Sequence, residues 1–473
     1  MNTMKYYALA CAWMLLASCT RTVPLERVGN LMFAKAQVNG HDVGRFVIDT
    51  GCASICVDRG IVEKLALSKM EHHVVELRGH VGKTTTDLVR TKTVAIGGVP
   101  FINDDATVMD TEWATALLGV EMNGVVGTPI LGTMPFTIDP QALTLTFYLR
   151  ESFRPPAGSQ VVDLTFSKDN RPYIPIIVNG QPIVIALDTG DDGALELSGS
   201  FVRQNPGIGV MKPDAQWEYQ TSIEKFERIR TRYDSIEVFG HVFRDVRGAV
   251  IQQMAGVDEE PGKKPGYAGV IGNVLLRNFR LTFDYENSKL YVEWRPWPTM
   301  KERLGRGLHP NQCDAGGTSV LCQTIADGDL DGVGALIAAG ANPNARSRLG
   351  ANPLGTAVMY GNAAIAEQLL DVGAETKDAT WGDYLVEAAY TGNAGMCQLL
   401  MKHGSNVQTL SPQGRTALSW AAQYGRLEVV KMLLDHGADY GIKDSNGKTA
   451  LHYAEGSGQK EIVDLLRACG ARE

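Results

Sequence analysis

The tripeptide Asp-Thr-Gly occurs twice in this chain, and its aspartates could form a reactive pair of carboxyl groups. The first copy contains Asp49 and the second contains Asp188, 139 positions later. Two carboxyl groups held close together share one proton, because simultaneous ionisation is unfavourable. The protonated member can donate a proton while the charged member accepts one, so that a water molecule attacks a carbonyl carbon. The motifs therefore predict acid–base hydrolysis at a site built from two distant segments.

The residues around the two motifs repeat in the same order. An Asn-Gly pair between apolar segments precedes each motif, at 39–40 and 179–180, and predicts a hairpin turn. A Gly-Val-apolar-Gly segment follows each motif, at 124–127 and 269–272. Further matches pair Gly98 and Phe101 with Gly240 and Phe243, and residues 136–145 with 281–290. This repeat predicts a duplicated β-rich lobe, with one aspartate in each copy.

This order of features resembles that of the retropepsin-like aspartic proteases, with their bacterial members looking most similar, over about residues 23–295. The resemblance implies an all-β, acid-protease-like double lobe, a polypeptide substrate and no metal or other cofactor. The implied site residues are the dyad Asp49 and Asp188, the mutually gripping Thr50 and Thr189, and Gly51 and Gly190, which permit close backbone approach. Each lobe is expected to supply a flap, one including Gly79–Gly82 and one within Trp217–Arg232.

The residue after each motif departs from the family pattern, which usually has Ser, Thr or Ala there. This chain has Cys52 in the first copy and Asp191 in the second. A third carboxylate could raise the apparent pKa of the dyad or distort it. Alternatively, Asp191 points into solvent and has no effect.

The first 18 residues have the pattern of a bacterial lipoprotein signal peptide. Lys5 precedes an apolar run that is too short to span a membrane, and the segment ends in Leu16-Ala17-Ser18-Cys19, which resembles a lipobox. The resemblance implies cleavage before Cys19 and acylation of that residue, which anchors a protein stably at a membrane. Because Thr20 rather than Asp follows, we expect the outer membrane of a Gram-negative bacterium, with the protein facing the periplasm.

Glycines recur at regular intervals in the last third of the chain. The series 328, 361, 392, 425 and 458 has intervals of 33, 31, 33 and 33 residues, and a second series from 340 to 470 repeats them. Residues 414–439 closely resemble an ankyrin repeat, which consists of two short helices and their turns. Stacked repeats bury their apolar faces against their neighbours. The resemblance implies an all-α solenoid that binds a protein partner or substrate.

The predicted fold class is therefore multidomain, an all-β double lobe followed by an all-α ankyrin solenoid. The predicted segments are a signal peptide at 1–18, a tether at 19–27, lobe 1 at 28–150, a linker at 151–159, lobe 2 at 160–295, a linker at 296–315 and five ankyrin repeats at 316–473. The net charge of −8 and the absence of a long basic run argue against a nucleic-acid partner.

Two pairs of cysteines lie close together in the sequence. Cys52 and Cys56 are expected on one extended strand, about 13 Å apart and out of disulfide reach, and therefore reduced unless that strand bends. Cys313 and Cys322 flank a Gly-rich turn, where both a bridge and two free thiols are compatible with the sequence.

Two functions fit these features. The favoured hypothesis is a lipid-anchored aspartic endopeptidase whose ankyrin repeats bind a partner or substrate. The rival is a catalytically inactive lipoprotein that uses the protease fold as a peptide-binding scaffold. Asp191 favours the rival, and the intact second Asp-Thr-Gly opposes it.

Overall fold

A computed structural model describes residues 20–78, 83–112, 114, 118–208, 215–220, 225–251, 268–348, 350–378 and 382–472 of the 473-residue chain. These residues form two compact units. The strand-rich unit includes the described residues of 20–208 and 218–297, and the helical unit includes Pro298–Cys313 and those from Gly317 onward. The predicted fold class, β-rich first and helical ankyrin repeats second, is confirmed.

The first half of the strand-rich unit is organised around one large sheet. The strands of this half are β1 Thr20–Pro24, β2 Glu26–Val28, β3 Leu31–Val38, β4 His41–Ile48, β5 Ile55–Asp58, β6 Lys69–Arg78, β7 Lys83–Arg90, β8 Thr93–Ile96, β9 Val99–Ile102, β10 Asp105–Met109, β11 Gly124–Val126, β12 Phe136–Asp139 and β13 Thr144–Tyr148, of which β2 to β11 form the large sheet. The order in the sheet is β6-β7-β10-β5-β11-β4-β3-β8-β9, with β2 paired to β3. Asn39 and Gly40 both have positive φ, as a tight hairpin between β3 and β4 requires.

The second half forms a sheet of similar design. The strands of this half are β14 Gln160–Asp163, β15 Thr165–Phe166, β16 Pro172–Val178, β17 Gln181–Leu187, β18 Leu195–Ser198, β19 Ala215–Gln220, β20 Lys225–Val238, β21 His241–Ile251, β22 Gly269–Ile271, β23 Phe279–Asp284 and β24 Lys289–Trp294, of which β15 to β22 form this sheet. The order is β15-β16-β17-β22-β18-β21-β20-β19, and a further pairing joins β16 to β20. Short α-helices accompany both halves: α1 Arg59–Lys64, α2 Thr128–Leu131, α3 Gly199–Gln204 and α4 Asn273–Leu276, with 3-10 turns at Arg150–Ser152 and Pro206–Ile208.

The same pairing pattern surrounds both Asp-Thr-Gly motifs. In the first half β4 pairs parallel with β11, β11 antiparallel with β5, and β5 parallel with β10. In the second half β17 pairs parallel with β22, β22 antiparallel with β18, and β18 parallel with β21. Each motif follows a central strand, so the sheet holds its backbone on both sides.

A third sheet, of six strands, joins the two halves in the order β1-β13-β12-β23-β24-β14. At its centre Phe136 and Phe283 stack with ring centroids 4.7 Å apart, and the Thr137 and Thr282 hydroxyls lie 2.6 Å apart. Residues 20–24, predicted as part of a tether, instead form the edge strand β1, because Val23 is buried against the core.

The helical unit contains five consecutive helix pairs among its described residues. Its helices are α5 Met300–Gly305, α6 Val320–Ala326, α7 Leu330–Ala338, α8 Pro353–Met359, α9 Ala363–Asp371, α10 Tyr384–Thr391, α11 Ala394–Lys402, α12 Ala417–Gln423, α13 Leu427–Asp435, α14 Ala450–Gly456 and α15 Lys460–Ala468, with a small ladder between β25 Lys377–Asp378 and β26 Gly382–Asp383. The apolar faces of these helices form one continuous core. Helix α5 lies within the stretch predicted as a linker, since Thr299 caps it and Met300 is buried.

Both glycine series have positive φ and end helices or form the turns that follow them.

Within the part of the chain that the structure describes, no helix combines the length and the apolar character needed to cross a membrane. The sequence was compatible with either a disulfide bond or two free thiols at Cys313 and Cys322, and in the structure both are free thiols.

Candidate active site

The two aspartates occupy matching positions at the ends of two central strands. Asp49 follows β4, and its N–H donates to the Val126 carbonyl across 3.0 Å. Asp188 follows β17, and its N–H donates to the Ile271 carbonyl across 3.1 Å. The duplicated strand pattern thus presents both carboxyl groups in the same way, and the structure brings them into contact.

The glycines of the motifs leave no room for a side chain. A Cβ on Gly51 would lie 2.3 Å from Asp188 Oδ2, and a Cβ on Gly190 would lie 2.3 Å from the carboxyl carbon of Asp49. Each glycine therefore packs its backbone against the opposite aspartate, in agreement with the close approach expected from the sequence.

The threonines of the motifs hold the two halves together through four reciprocal hydrogen bonds. The Thr50 hydroxyl donates to the Leu187 carbonyl (2.9 Å) and accepts from the Thr189 N–H (3.1 Å). The Thr189 hydroxyl donates to the Ile48 carbonyl (2.8 Å) and accepts from the Thr50 N–H (3.1 Å). All four bonds are buried, so the mutual grip implied by the resemblance is present in the geometry.

The electrostatic environment favours one shared proton. Burial raises the pKa of Asp49 well above its usual range, and the negative charge of Asp188, the Cys52 thiol and a hydrogen bond with Asp188 raise it further. The Arg171 guanidinium opposes this shift. Asp188 Oδ1 accepts a hydrogen bond from the Gly190 N–H at 2.8 Å, an arrangement suited to a carboxylate. Burial and the neighbouring Asp188 thus favour a protonated carboxyl group at Asp49.

Two residues near the dyad were missed by the sequence analysis. Arg171 lies in the turn before β16, and its charge acts on both Asp49 and Cys52. Tyr285 follows β23; burial raises the pKa of its phenol, and the two aspartates raise it further. The Tyr285 hydroxyl is buried without a hydrogen-bond partner among the described residues. Arg171 lies outside the repeated segments, and Tyr285, although it lies within 281–290, stands opposite Pro140 in the first copy, so the internal repeat did not identify either residue.

Asp191 does not point into solvent. Its side chain is buried, and one carboxylate oxygen accepts a hydrogen bond from the Gly193 N–H at 2.7 Å. Its carbonyl accepts from the Asn273 N–H at 2.9 Å, while Asn273 Nδ2 donates to the Thr189 carbonyl at 2.8 Å. Asp191 is therefore part of the turn between the second motif and β18, and this turn is hydrogen-bonded to the first residue of helix α4.

The sequence prediction for Cys52 and Cys56 is wrong in its geometry. The chain turns at residues 51–54 before β5 begins, and the two sulfur atoms lie 4.0 Å apart instead of on one extended segment. Both thiols are free, as expected.

The predicted flaps are only partly described. Strands β6 and β7 pair antiparallel up to Arg78 and Lys83, and Gly79–Gly82 lie outside the described residues. In the second half β20 covers the last part of Trp217–Arg232, and residues 221–224 lie outside the described residues. Cys19 also lies outside them.

The helical unit carries a cluster of aromatic side chains around the buried Arg415. The Arg415 guanidinium lies 3.7 Å from the ring centroids of both Trp420 and Tyr453. Tyr390 packs edge-on against Trp420 and Tyr424, with centroids 5.7 and 4.7 Å apart. Aromatic and arginine side chains are enriched among the residues that dominate protein interfaces.

Two parts of the chain match known protein families. Residues 34–122 match the family described as "gag-polyprotein putative aspartyl protease", a range that contains Asp49 but ends before Asp188. Residues 384–472 match ankyrin repeats in three copies. The chain is also similar to cyclin-dependent kinase 4 inhibitor B of Rattus norvegicus, with 33% identity over 113 residues that make up 23% of this chain and 86% of the relative.

Proposed function

We propose that this chain, which belongs to the ankyrin-repeat proteins and carries an aspartyl protease domain of the gag type, is an aspartic endopeptidase with both catalytic residues in one polypeptide. The observation that carries the proposal is the hydrogen bond between the Asp49 and Asp188 carboxyl groups, next to the crossed threonine hydrogen bonds of the same motifs. Its substrate is a polypeptide, and the reaction needs no covalent intermediate.

The proposed mechanism assigns different roles to the two aspartates. The Asp188 carboxylate accepts a proton from a water molecule, which attacks the peptide carbonyl carbon. Asp49, whose pKa is raised by burial and by Asp188, donates its proton to the carbonyl oxygen. As the tetrahedral intermediate collapses and the C–N bond breaks, Asp188 donates its new proton to the amine nitrogen, and a hydroxyl of the intermediate returns a proton to Asp49. The crossed hydrogen bonds hold the two carboxyl groups at the required separation.

The test is peptide cleavage by two conservative variants. Asp49→Asn and Asp188→Asn should each lower kcat/KM on a diverse peptide library by at least about a hundredfold, because each removes half of the proton-sharing pair. Assays should cover about pH 3 to about pH 8 to include the optimum of any such dyad. Asp42→Asn, an exposed carboxylate on β4, is the matched control and should retain full activity.

Circular dichroism must show that each variant remains folded. Cleavage that survives in either dyad variant would refute the proposed mechanism. A wild-type protein that binds library peptides without cutting them would instead support the rival peptide-binding scaffold.

We further propose that the protein is a lipoprotein of the cell envelope, anchored through Cys19 at the outer membrane of a Gram-negative bacterium and facing the periplasm. The support is the lipobox-like sequence from Leu16 to Cys19 after a short apolar run. Because β1 begins at Thr20, such an anchor would leave almost no spacer before the sheet.

Mass spectrometry of the mature N-terminus tests the anchor. The wild-type protein should begin at an acylated Cys19, and Cys19→Ser should abolish acylation because the thiol accepts the lipid. Cys11→Ser, in the apolar run before it, is the control and should leave acylation intact. A wild-type N-terminal peptide without lipid would contradict the proposal.

A further inference from the structure

The thiols of Cys52 and Cys56 form a close pair on the turn that follows Asp49. Their sulfur atoms lie 4.0 Å apart, whereas a disulfide bond requires about 2.05 Å. The Cys52 thiol also donates a hydrogen bond to the Ser54 carbonyl at 3.2 Å. The side chains thus already point toward each other, and the two sulfur atoms must approach by about 2 Å to form the bond.

The two cysteines differ in their freedom to move. Cys56 lies on β5, fully buried, and is paired with Val125 on one side and Thr107 on the other. Cys52 is half-buried and lies in the turn before that strand. Formation of a bond must therefore displace Cys52, because the ladders on both sides of β5 hold Cys56 in place.

A displacement of Cys52 is transmitted to the dyad through the backbone. The Cys52 N–H donates to the Asp49 carbonyl at 3.4 Å, and the Cys52 carbonyl accepts from the Thr128 N–H at 2.8 Å. The dyad tolerates little movement, since Gly51 contacts the Asp188 carboxyl group directly. The second copy has Asp191 and Leu195 at the positions equivalent to Cys52 and Cys56, so this arrangement is specific to the first half.

We propose that Cys52 and Cys56 form a reversible disulfide bond that switches the peptidase off by displacing Asp49; the inhibitory part of this proposal rests on the proposed function. The oxidant is a low-molecular-weight disulfide such as glutathione disulfide. Cys52 as its thiolate attacks one sulfur of the oxidant and releases one thiol, forming a mixed disulfide. Cys56 as its thiolate then attacks the Cys52 sulfur and releases the second thiol, so that two protein thiols are oxidised and one disulfide is reduced.

The bond itself can be measured without any assay of activity. The full chain is equilibrated with glutathione disulfide, its remaining thiols are alkylated, and it is digested with trypsin. Cleavage after Arg45 and Arg59 gives one peptide, 46–59, that contains both cysteines. We expect this peptide to be unalkylated and lighter by two hydrogen atoms, and to return to the dialkylated form when dithiothreitol precedes alkylation. A dialkylated peptide, or a glutathione adduct at Cys52 without the cross-link, overturns the proposal.

The switch is measured on the same samples as peptide cleavage. Oxidation should lower kcat/KM by about tenfold to a hundredfold, because small misplacements of catalytic groups have effects of this size, and dithiothreitol should restore it. Cys52→Ala and Cys56→Ala should each be insensitive to the oxidant, whereas Cys313→Ser, which removes an exposed thiol, should respond like the wild type. A cross-linked peptide 46–59 with unchanged activity overturns the switch. A reduced protein that cleaves nothing refutes the proposed function, while the mass of peptide 46–59 still decides whether the bond forms.

Discussion

At the scale of single residues, Asp49 and Asp188 differ in their hydrogen bonds and neighbours, although they occupy equivalent positions in the repeat. Asp188 Oδ1 accepts the Gly190 N–H, whereas Asp49 Oδ1 is buried without a hydrogen-bond partner among the described residues. The neighbours also differ, with Cys52 after the first motif and the buried Asp191 after the second. A single chain can therefore give its two aspartates distinct roles, which two identical subunits cannot do before substrate binds.

The raised pKa of Asp49 predicts the pH dependence of cleavage. The proposed mechanism requires a proton on Asp49, so activity should persist above the ordinary carboxyl pKa of about 3.9 and fall as pH rises through the raised pKa. Since Arg171 lowers this pKa, Arg171→Gln should move the alkaline limb of kcat/KM to higher pH, whereas Arg171→Lys, which keeps the charge, should move it less. A shift of the limb to lower pH in Arg171→Gln would contradict the assignment of the proton to Asp49.

The same pKa also links stability to pH. A carboxyl group whose pKa is higher in the folded than in the unfolded state stabilises the fold fully below the unfolded pKa. This contribution is lost as pH rises through the folded pKa, because the unfolded chain releases the proton more readily. The melting temperature should therefore fall with rising pH in this window, and Asp49→Asn should flatten that slope.

At the scale of structural elements, the crossed threonine hydrogen bonds join the loops after β4 and β17. Thr50→Val and Thr189→Val keep the side-chain volume but leave a buried N–H and a buried carbonyl without partners. Each variant should lower the free energy of unfolding of the strand-rich unit by about 2 kcal/mol or more, and should lower kcat as the dyad loosens. Urea denaturation with parallel kinetics measures both effects.

The serine variants are the matched controls for these threonines. Thr50→Ser and Thr189→Ser retain the hydroxyl group that donates and accepts, so both stability and kcat should remain close to the wild type. If the valine variants are as stable and as active as the serine variants, the crossed hydrogen bonds do not hold the dyad in place.

At the scale of the whole molecule, the candidate catalytic residues and the repeats occupy different parts of the chain. Both Asp-Thr-Gly motifs precede residue 295, and the ankyrin match begins at residue 384. Ankyrin stacks present extended surfaces suited to protein partners. We therefore expect the repeats to select or position a protein substrate without contributing to bond cleavage.

Removal of the repeats tests this division. A chain that ends after Pro298 should keep its kcat on short peptides and lose affinity for a large protein substrate. Arg415→Ala in the full chain should weaken binding of that substrate in the same direction, because Arg415 holds Trp420 and Tyr453 together. Loss of short-peptide cleavage by the shortened chain, with its strands intact by circular dichroism, would place the repeats within the catalytic unit. Unchanged cleavage of both substrates would assign the repeats to another partner.

The sequence by itself determined the features that depend on local pattern and repetition. The Asn-Gly turns follow from backbone conformations that few other residues adopt, as the positive φ of Asn39 and Asn179 shows. The ankyrin helices follow from a regular spacing of glycines and apolar residues. The duplicated Asp-Thr-Gly motif likewise identified Asp49, Asp188 and their neighbouring threonines and glycines as the candidate site.

Only the tertiary structure decided what depends on contacts between distant segments. It placed residues 20–24 in the six-stranded sheet that joins the two halves, because Val23 is buried there. Their position directly after a predicted cleavage site had instead suggested a tether. It brought Arg171 and Tyr285 to the dyad, although Arg171 lies in no repeated segment and Tyr285 is matched only by Pro140. It also turned the chain at residues 51–54 and placed the Cys52 and Cys56 sulfur atoms side by side, because the ladders of β5 with β10 and β11 determine where the strand begins. Spacing along a chain constrains local geometry, whereas packing determines which side chains meet.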